Sequence, residues 1–96
     1  MPVVVIARVE CLPGHEAEAE ALLRWQVGPT REEKGCLNYD LHRDNADPKV
    51  FWFHETWESD EHLAAHAVAD HMVANRARVK PHLAQPTEVH RMTKLA

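Results

Sequence analysis

The sequence predicts one small α+β domain over residues 1–96, with the ferredoxin-like element order βαββαβ. Four short segments are rich in alternating or β-branched apolar residues, and two longer segments carry apolar residues at helical spacing. Clusters of Gly, Pro, Asp and Asn separate these segments. A chain of 96 residues has room for one core and buries a modest share of its surface, so we expect a second copy to cover remaining apolar area.

Four segments have the composition of β-strands. They are Val3–Val9, Cys36–His42, Val50–Trp57 and Thr87–Met92. The turn residues of Asp44–Pro48 predict that the second and third strands form a hairpin. The third strand is largely apolar on both faces, which predicts that both faces are covered.

Two segments are predicted to be helical. The first, His15–Val27, is interrupted by Gly28-Pro29, and residues 30–34 then form a charged connector with some helical character. The second spans Asp60–Val79, begins with acidic residues that complement the helix dipole, and has an irregularity near Ala69-Asp70. Each predicted helix therefore joins two strands, as the ferredoxin-like order requires.

Composition and charge restrict the partners and the compartment. The net charge is −4 and the Lys and Arg residues are scattered, so the sequence predicts neither a nucleic-acid partner nor a membrane surface. The apolar run Pro2–Ala7 is too short for a signal sequence or a membrane span, and we predict a cytoplasmic protein. Cys11 and Cys36 are expected to be reduced and unpaired, because the first and second strands are not neighbours in this topology.

A set of motifs runs through most of the chain in a fixed order. It comprises the strand Gly35–Arg43, the junction Phe53–Ser59 and two histidines, His66 and His71. This pattern resembles the antibiotic biosynthesis monooxygenase (ABM) family. The resemblance implies a single ABM domain in a homodimeric α+β barrel, with a pocket between sheet and helices. It also implies a cofactor-free oxygenase that acts on a small quinol or anthrone-like aromatic with molecular oxygen.

Such chemistry needs a particular kind of site. Triplet oxygen reacts with electron-rich anions, so the enzyme must deprotonate its substrate inside an apolar pocket. Histidine, with an ordinary pKa of about 6.5, is suited to be the base. The chain contains no dinucleotide or phosphate-binding glycine motif, which is consistent with the absence of a cofactor.

His66 is the predicted catalytic base, because helical spacing places it on the inward half of the second helix with Leu63. His71 matches the second histidine of the family pattern and is the other catalytic candidate. An alternative for His71 is a histidine at a helix break that bonds the backbone.

The strands supply the predicted substrate-binding residues. Trp57 and Phe53 are expected to form an aromatic wall, and Glu55 lies between them on the same face, where it could orient a histidine. Ordinary core packing is the alternative for all three. Asn38 is the remaining candidate, although it shares the other face of the second strand with His42, and the sequence leaves open which face meets the pocket.

The same residues also bear on metal binding, haem degradation and functions without oxygenation. His62 and His66 have the spacing of a helical metal pair, but no Cys or acidic ligand completes a site in the sequence, so no metal is predicted. The haem-degrading branch of the family carries Asn, Trp and an axial His where this chain has Ala7, His66 and Arg76, which argues against haem degradation. A small-molecule-binding or stress-protective dimer without catalysis, or an isomerase of the same family, remains open.

Overall fold

The computed structural model describes all 96 residues and contains four strands and three α-helices. In chain order the elements are β1 (Val3–Glu10), α1 (Glu16–Arg31), β2 (Cys36–Arg43), β3 (Val50–Trp57), α2 (Asp60–Ala67), α3 (Asp70–Val79), a short 3-10 turn (Lys80–His82) and β4 (Glu88–Met92). This order confirms the predicted ferredoxin-like α+β class.

The sheet is antiparallel with the strand order β2-β3-β1-β4. β2 and β3 form the predicted hairpin, and β1 lies between β3 and β4. On β3, Phe53, Glu55 and Trp57 point to the face that the helices cover and are buried, whereas His54 on the opposite face is exposed. The register places Glu55 beside Tyr39 of β2 and Val5 of β1, so its carboxyl group enters the apolar core.

The first helix is longer than the sequence predicts. It continues through Pro29 to Arg31, so the predicted end at Val27 is wrong. Proline removes one backbone donor, but the rest of this last turn is held by contacts elsewhere in the molecule. Thr30 is fully buried, and the Arg31 Nε donates to the Tyr39 carbonyl at 3.1 Å. Tertiary packing therefore outweighs the helix-breaking tendency of Gly28-Pro29.

The second predicted helix is two helices, because the irregularity near Ala69 is a complete break. Ser59 caps the first of them by accepting from the His62 backbone N–H at 3.2 Å. Ala69 is extended, with φ −61° and ψ 142°, and α3 begins at the next residue. Arg76 of α3 donates to the Ala67 carbonyl at 2.9 Å and so satisfies an acceptor that the end of α2 leaves open.

The two cysteines are free, in agreement with the prediction from topology. Cys11 follows the end of β1 and Cys36 begins β2, and β3 lies between these two strands. None of the helices is both long enough and apolar enough to span a lipid bilayer.

Gly35 and Gly28 offer a matched test of how the turn before β2 is built. Gly35 has φ +85°, and a Cβ there would overlap the side chain of His62. Gly28 lies in α1, and a Cβ there would meet nothing within 4 Å. We expect Gly35→Ala to destabilise the fold by about 2 kcal/mol or more, and Gly28→Ala to stabilise it by about 0.5 to 1 kcal/mol. Urea unfolding of both variants measures this, and a neutral Gly35→Ala would contradict the turn geometry.

Candidate active site

A cavity of about 710 Å³ lies between the helix-covered face of the sheet and the helices. Its walls are mainly apolar, with 13 hydrophobic residues among the 21 that line it. The apolar wall includes Val5, Ala7, Val9, Leu23, Phe53, Leu63 and Val79. This volume suits a small aromatic molecule, and the predominance of apolar side chains favours a ring over a strongly polar ligand.

His66 of α2 is buried and lines this cavity. Its Nδ1 lies 2.8 Å from the Glu33 Oε2. A carboxylate only accepts, so this bond requires a proton on the Nδ1, and in the neutral imidazole the lone pair is then on the Nε2. The Nε2 makes no hydrogen bond with the rest of the protein. His66 is therefore arranged to accept a proton through its Nε2.

Two aromatic rings fix the orientation of the His66 imidazole. The Trp57 ring lies against it with a centroid distance of 4.6 Å and an interplanar angle of 32°. The Tyr39 ring meets it edge-on at 5.4 Å. Trp57 is fully buried and does not itself line the cavity. The predicted wall is thus formed by Phe53, and Trp57 supports the imidazole from behind.

Glu55 is buried among apolar residues and lines the cavity. Its Oε1 accepts from the Trp57 indole N–H at 2.9 Å. Burial, aided by the negative charge of Glu33, raises the pKa of Glu55 from 4.5 to about 7, and the Trp57 hydrogen bond and His54 oppose that rise. A carboxyl group with this pKa can both donate and accept a proton near neutral pH.

His71 lies behind Glu33, outside the cavity lining. Its Nε2 is 3.1 Å from the Glu33 Oε2 and 3.1 Å from the Thr30 Oγ1. These partners are side chains, so the alternative of a backbone-bonding histidine at a helix break does not describe it. His71 can influence a bound molecule through Glu33 and His66.

Glu33 is the residue that sequence reasoning missed, since it was assigned to a charged connector. The available signal was its place two residues before Gly35, at the start of the family-like motif. Its carboxylate, His66 and His71 bring three donor atoms within 4.8 Å of one another, a set that could hold a metal ion. No acidic partner for such a set is evident in the sequence, and the fold supplies one in Glu33. Within this set His66 hydrogen-bonds the Glu33 carboxylate, and the His71 Nε2 lies 3.1 Å from the same carboxylate oxygen.

A second set of polar groups was also missed. The Asn75 Nδ2 donates to the Gln26 Oε1 at 2.7 Å, and the Gln26 Nε2 donates to the Tyr39 Oη at 2.7 Å. Burial raises the pKa of Tyr39, so its hydroxyl remains protonated. Gln26 falls on the apolar face of α1, which is the sequence signal for a buried polar role. The chain of bonds fixes the Tyr39 ring against His66.

Asn38 lies on the opposite face of the sheet. Its Nδ2 donates to the Asp40 Oδ2 and the His54 carbonyl, each at 3.0 Å, and it does not line the cavity. Among the predicted site residues, the cavity therefore brings together Phe53, Glu55 and His66. Trp57 and His71 lie behind it, and Asn38 is on the other side of β2.

The fold and the cavity define a ferredoxin-like α+β protein in which a buried histidine–carboxylate pair lies beside an apolar cavity. Residues 2–78 match the family model described as "Antibiotic biosynthesis monooxygenase". The chain belongs to this family, which confirms the resemblance read from its motifs. Membership supports a monooxygenase-type role at the level of the family.

Named relatives agree with this placement. The chain is 36% identical over 88 residues to "Putative monooxygenase Rv0793" of Mycobacterium tuberculosis, covering 92% of this chain and 86% of that protein. The solved structure of Rv0793 superposes with a TM-score of 0.93 at 32% identity, covering 100% of this chain and 97% of that one. The crystal structure of PA3566 from Pseudomonas aeruginosa superposes with a TM-score of 0.90 at 36% identity, covering 99% of this chain and 95% of that one.

The raised pKa of Glu55 makes a prediction about stability. Between pH 4.5 and about 7 the folded protein holds a proton on Glu55 that the unfolded chain has released, so stability falls as the pH rises through this window. From pH 5 to pH 8 we expect a loss of about 2 to 3 kcal/mol from this group. Glu55→Gln keeps an acceptor for Trp57 and should lack this loss. Urea unfolding at both pH values measures the change in the free energy of unfolding. An equal change in the parent and in Glu55→Gln would contradict the prediction.

Proposed function

We propose that the protein is a cofactor-independent monooxygenase that oxidises a small quinol or anthrone-like aromatic with molecular oxygen. The observation that carries this proposal is His66, whose Nδ1 is held by Glu33 while its unbonded Nε2 belongs to a residue on the wall of an apolar cavity. Family membership and the name of the Rv0793 relative support the reaction type.

The reaction begins with a proton transfer. The Nε2 of His66 accepts the proton from the substrate, and Glu33 stabilises the imidazolium that forms. The apolar wall makes the resulting aromatic anion a stronger electron donor, because few polar groups solvate it. The anion transfers one electron to oxygen. The resulting substrate radical and superoxide then combine through a new carbon–oxygen bond and form a peroxide.

The second half of the reaction returns protons. Protonation of the peroxide and loss of water leave a carbonyl on the ring, so one oxygen atom enters the product and the other leaves as water. A quinol plus oxygen gives a hydroxyquinone plus water, and an anthrone gives an anthraquinone plus water. The His66 imidazolium and the Glu55 carboxyl group are the two proton donors at the cavity for these steps.

His66→Ala is the direct test of the base. We expect turnover of a hydroquinone or anthrone to fall by about 10² to 10⁴, the usual effect of losing a general base. Oxygen uptake with metal-free protein measures the rate, and the melting temperature checks the fold. His15→Ala is the control, because the only side-chain hydrogen bond of His15 is the one with His82. Unchanged turnover in a folded His66→Ala variant would remove His66 from the mechanism. If the parent consumes no oxygen with any quinol or anthrone, the oxygenase proposal itself is contradicted.

We also propose that the protein works as a homodimer, with the sheet face opposite the helices packed against a second copy. This face carries Val4, Ile6 and Trp52, which are half-buried in the single chain, and Met92, which is 47% exposed. Apolar side chains on an uncovered sheet face favour association, and the proposed sheet-to-sheet packing would complete an α+β barrel.

Light scattering tests the dimer. We expect the parent at micromolar concentration to have twice the chain mass of 11.0 kDa. Ile6→Glu places a charge on the proposed interface and should shift the protein towards monomer. Val68→Glu, at a site that is 72% exposed beyond α2, is the control and should remain dimeric. A parent that is monomeric under these conditions would disprove the barrel arrangement.

A further inference from the structure

Two positively charged side chains line the cavity, and neither forms a salt bridge. Arg76 and Lys80 both contribute to the lining, on α3 and on the turn that follows it. The salt bridges of the protein involve other arginines and lysines. Glu55 is the single acidic residue of the lining, and its raised pKa leaves it only partly ionised near neutral pH. The charge available to a ligand is therefore mainly positive.

The Arg76 guanidinium is held close to the catalytic end of the cavity. Its Nη2 donates to the carbonyl of Ala67 at 2.9 Å, and Ala67 follows His66 directly in the chain. That bond uses one of the five N–H donors of a guanidinium, and no other side-chain bond of Arg76 is present. The free donors form a planar fork that matches a carboxylate.

Lys80 lies farther along the cavity. It follows Arg76 by four residues, which corresponds to about 6 Å along a helix axis. The neighbouring lining residues Leu83 and Ala84 place it towards the Val9 end of the sheet, since Leu83 pairs with Cys11. Lys80 is thus suited to a weaker, longer-range interaction with the same ligand.

We propose that the substrate is a hydroxylated aromatic acid, whose carboxylate is bound by Arg76 while its hydroxyl group faces His66. The ring occupies the apolar part of the cavity, and the carboxylate stays near the exposed Arg76, where it loses little hydration. Lys80 adds positive potential at the outer end. This substrate class rests on the proposed oxygenase function for the role of the hydroxyl group, but the recognition of the carboxylate depends on Arg76 alone.

Binding measured without oxygen tests the proposal. The ligands are 1,4-dihydroxy-2-naphthoate and its methyl ester, which share a quinol ring and differ in charge. By anaerobic calorimetry we expect the acid to bind the parent about three- to tenfold more tightly than the ester. Arg76→Gln should bring this ratio close to one, and Arg76→Lys should retain part of it. Lys80→Gln should reduce it by a smaller factor.

Arg78→Gln is the matched control. Arg78 lies on the same helix but stacks over the Trp25 ring, with its guanidinium 4.5 Å from the ring centroid, and it does not line the cavity. This variant changes the net charge by the same amount as Arg76→Gln, and it should keep the parent's preference for the acid over the ester. An ester that binds the parent as tightly as the acid overturns the proposal, and so does a preference that survives in a folded Arg76→Gln. Acid preference without oxygen uptake would leave the inference intact and refute the oxygenase instead.

Discussion

The carboxylate of Glu33 joins the end of α1 to both α2 and α3. Glu33 follows α1, and the same oxygen contacts His66 on α2 and His71 on α3. Because all three side chains are largely buried, these contacts form where few water molecules compete, and an unpaired carboxylate there would be costly. The need to satisfy Glu33 therefore fixes where α2 and α3 lie relative to the end of α1, and with them one side of the cavity.

The same constraint explains why two helices replace one. A continuous helix would place His66 and His71 about 140° apart around its axis, and both could not meet one carboxylate. The break at Ala69 turns the chain so that they do. It also opens the carbonyl of Ala67, which Arg76 satisfies. A local irregularity that costs helical hydrogen bonds is thus offset by contacts made on both sides of it.

Much of the fold could be predicted from the sequence because its signals are local. β-branched alternation located the strands, and Asp44–Pro48 located the hairpin turn. The end of α1 could not be predicted, because it depends on the burial of Thr30 and on bonds from Arg31 to β2. Glu33 was missed for the same reason, since its partner His66 is 33 residues away along the chain.

At the candidate site, the sequence predicted which side chains share a strand face but not which of them border the cavity. Alternation correctly placed Phe53, Glu55 and Trp57 on one face of β3, yet it could not tell which of them would border open space. That difference arises from depth: Glu55 and Phe53 reach the cavity, whereas the Trp57 ring is covered by His66. Which face of β2 met the cavity depended on strand register, and the register places Asn38 beside Thr56 on the far side.

The outer wall of the cavity is built differently from the side that holds His66. Residues 84–87 and Val89 line it and are exposed. Residues 84–87 form the connection into the edge strand β4, and Val89 belongs to that strand. They contribute nothing to the buried core, and they lie apart from the Glu33 cluster. Substitutions in this segment can therefore accumulate with little penalty to folding, and each one reshapes the entrance seen by a ligand. A protein built in this way can diverge in the ligand that it accepts while the buried Glu33–His66 pair stays the same.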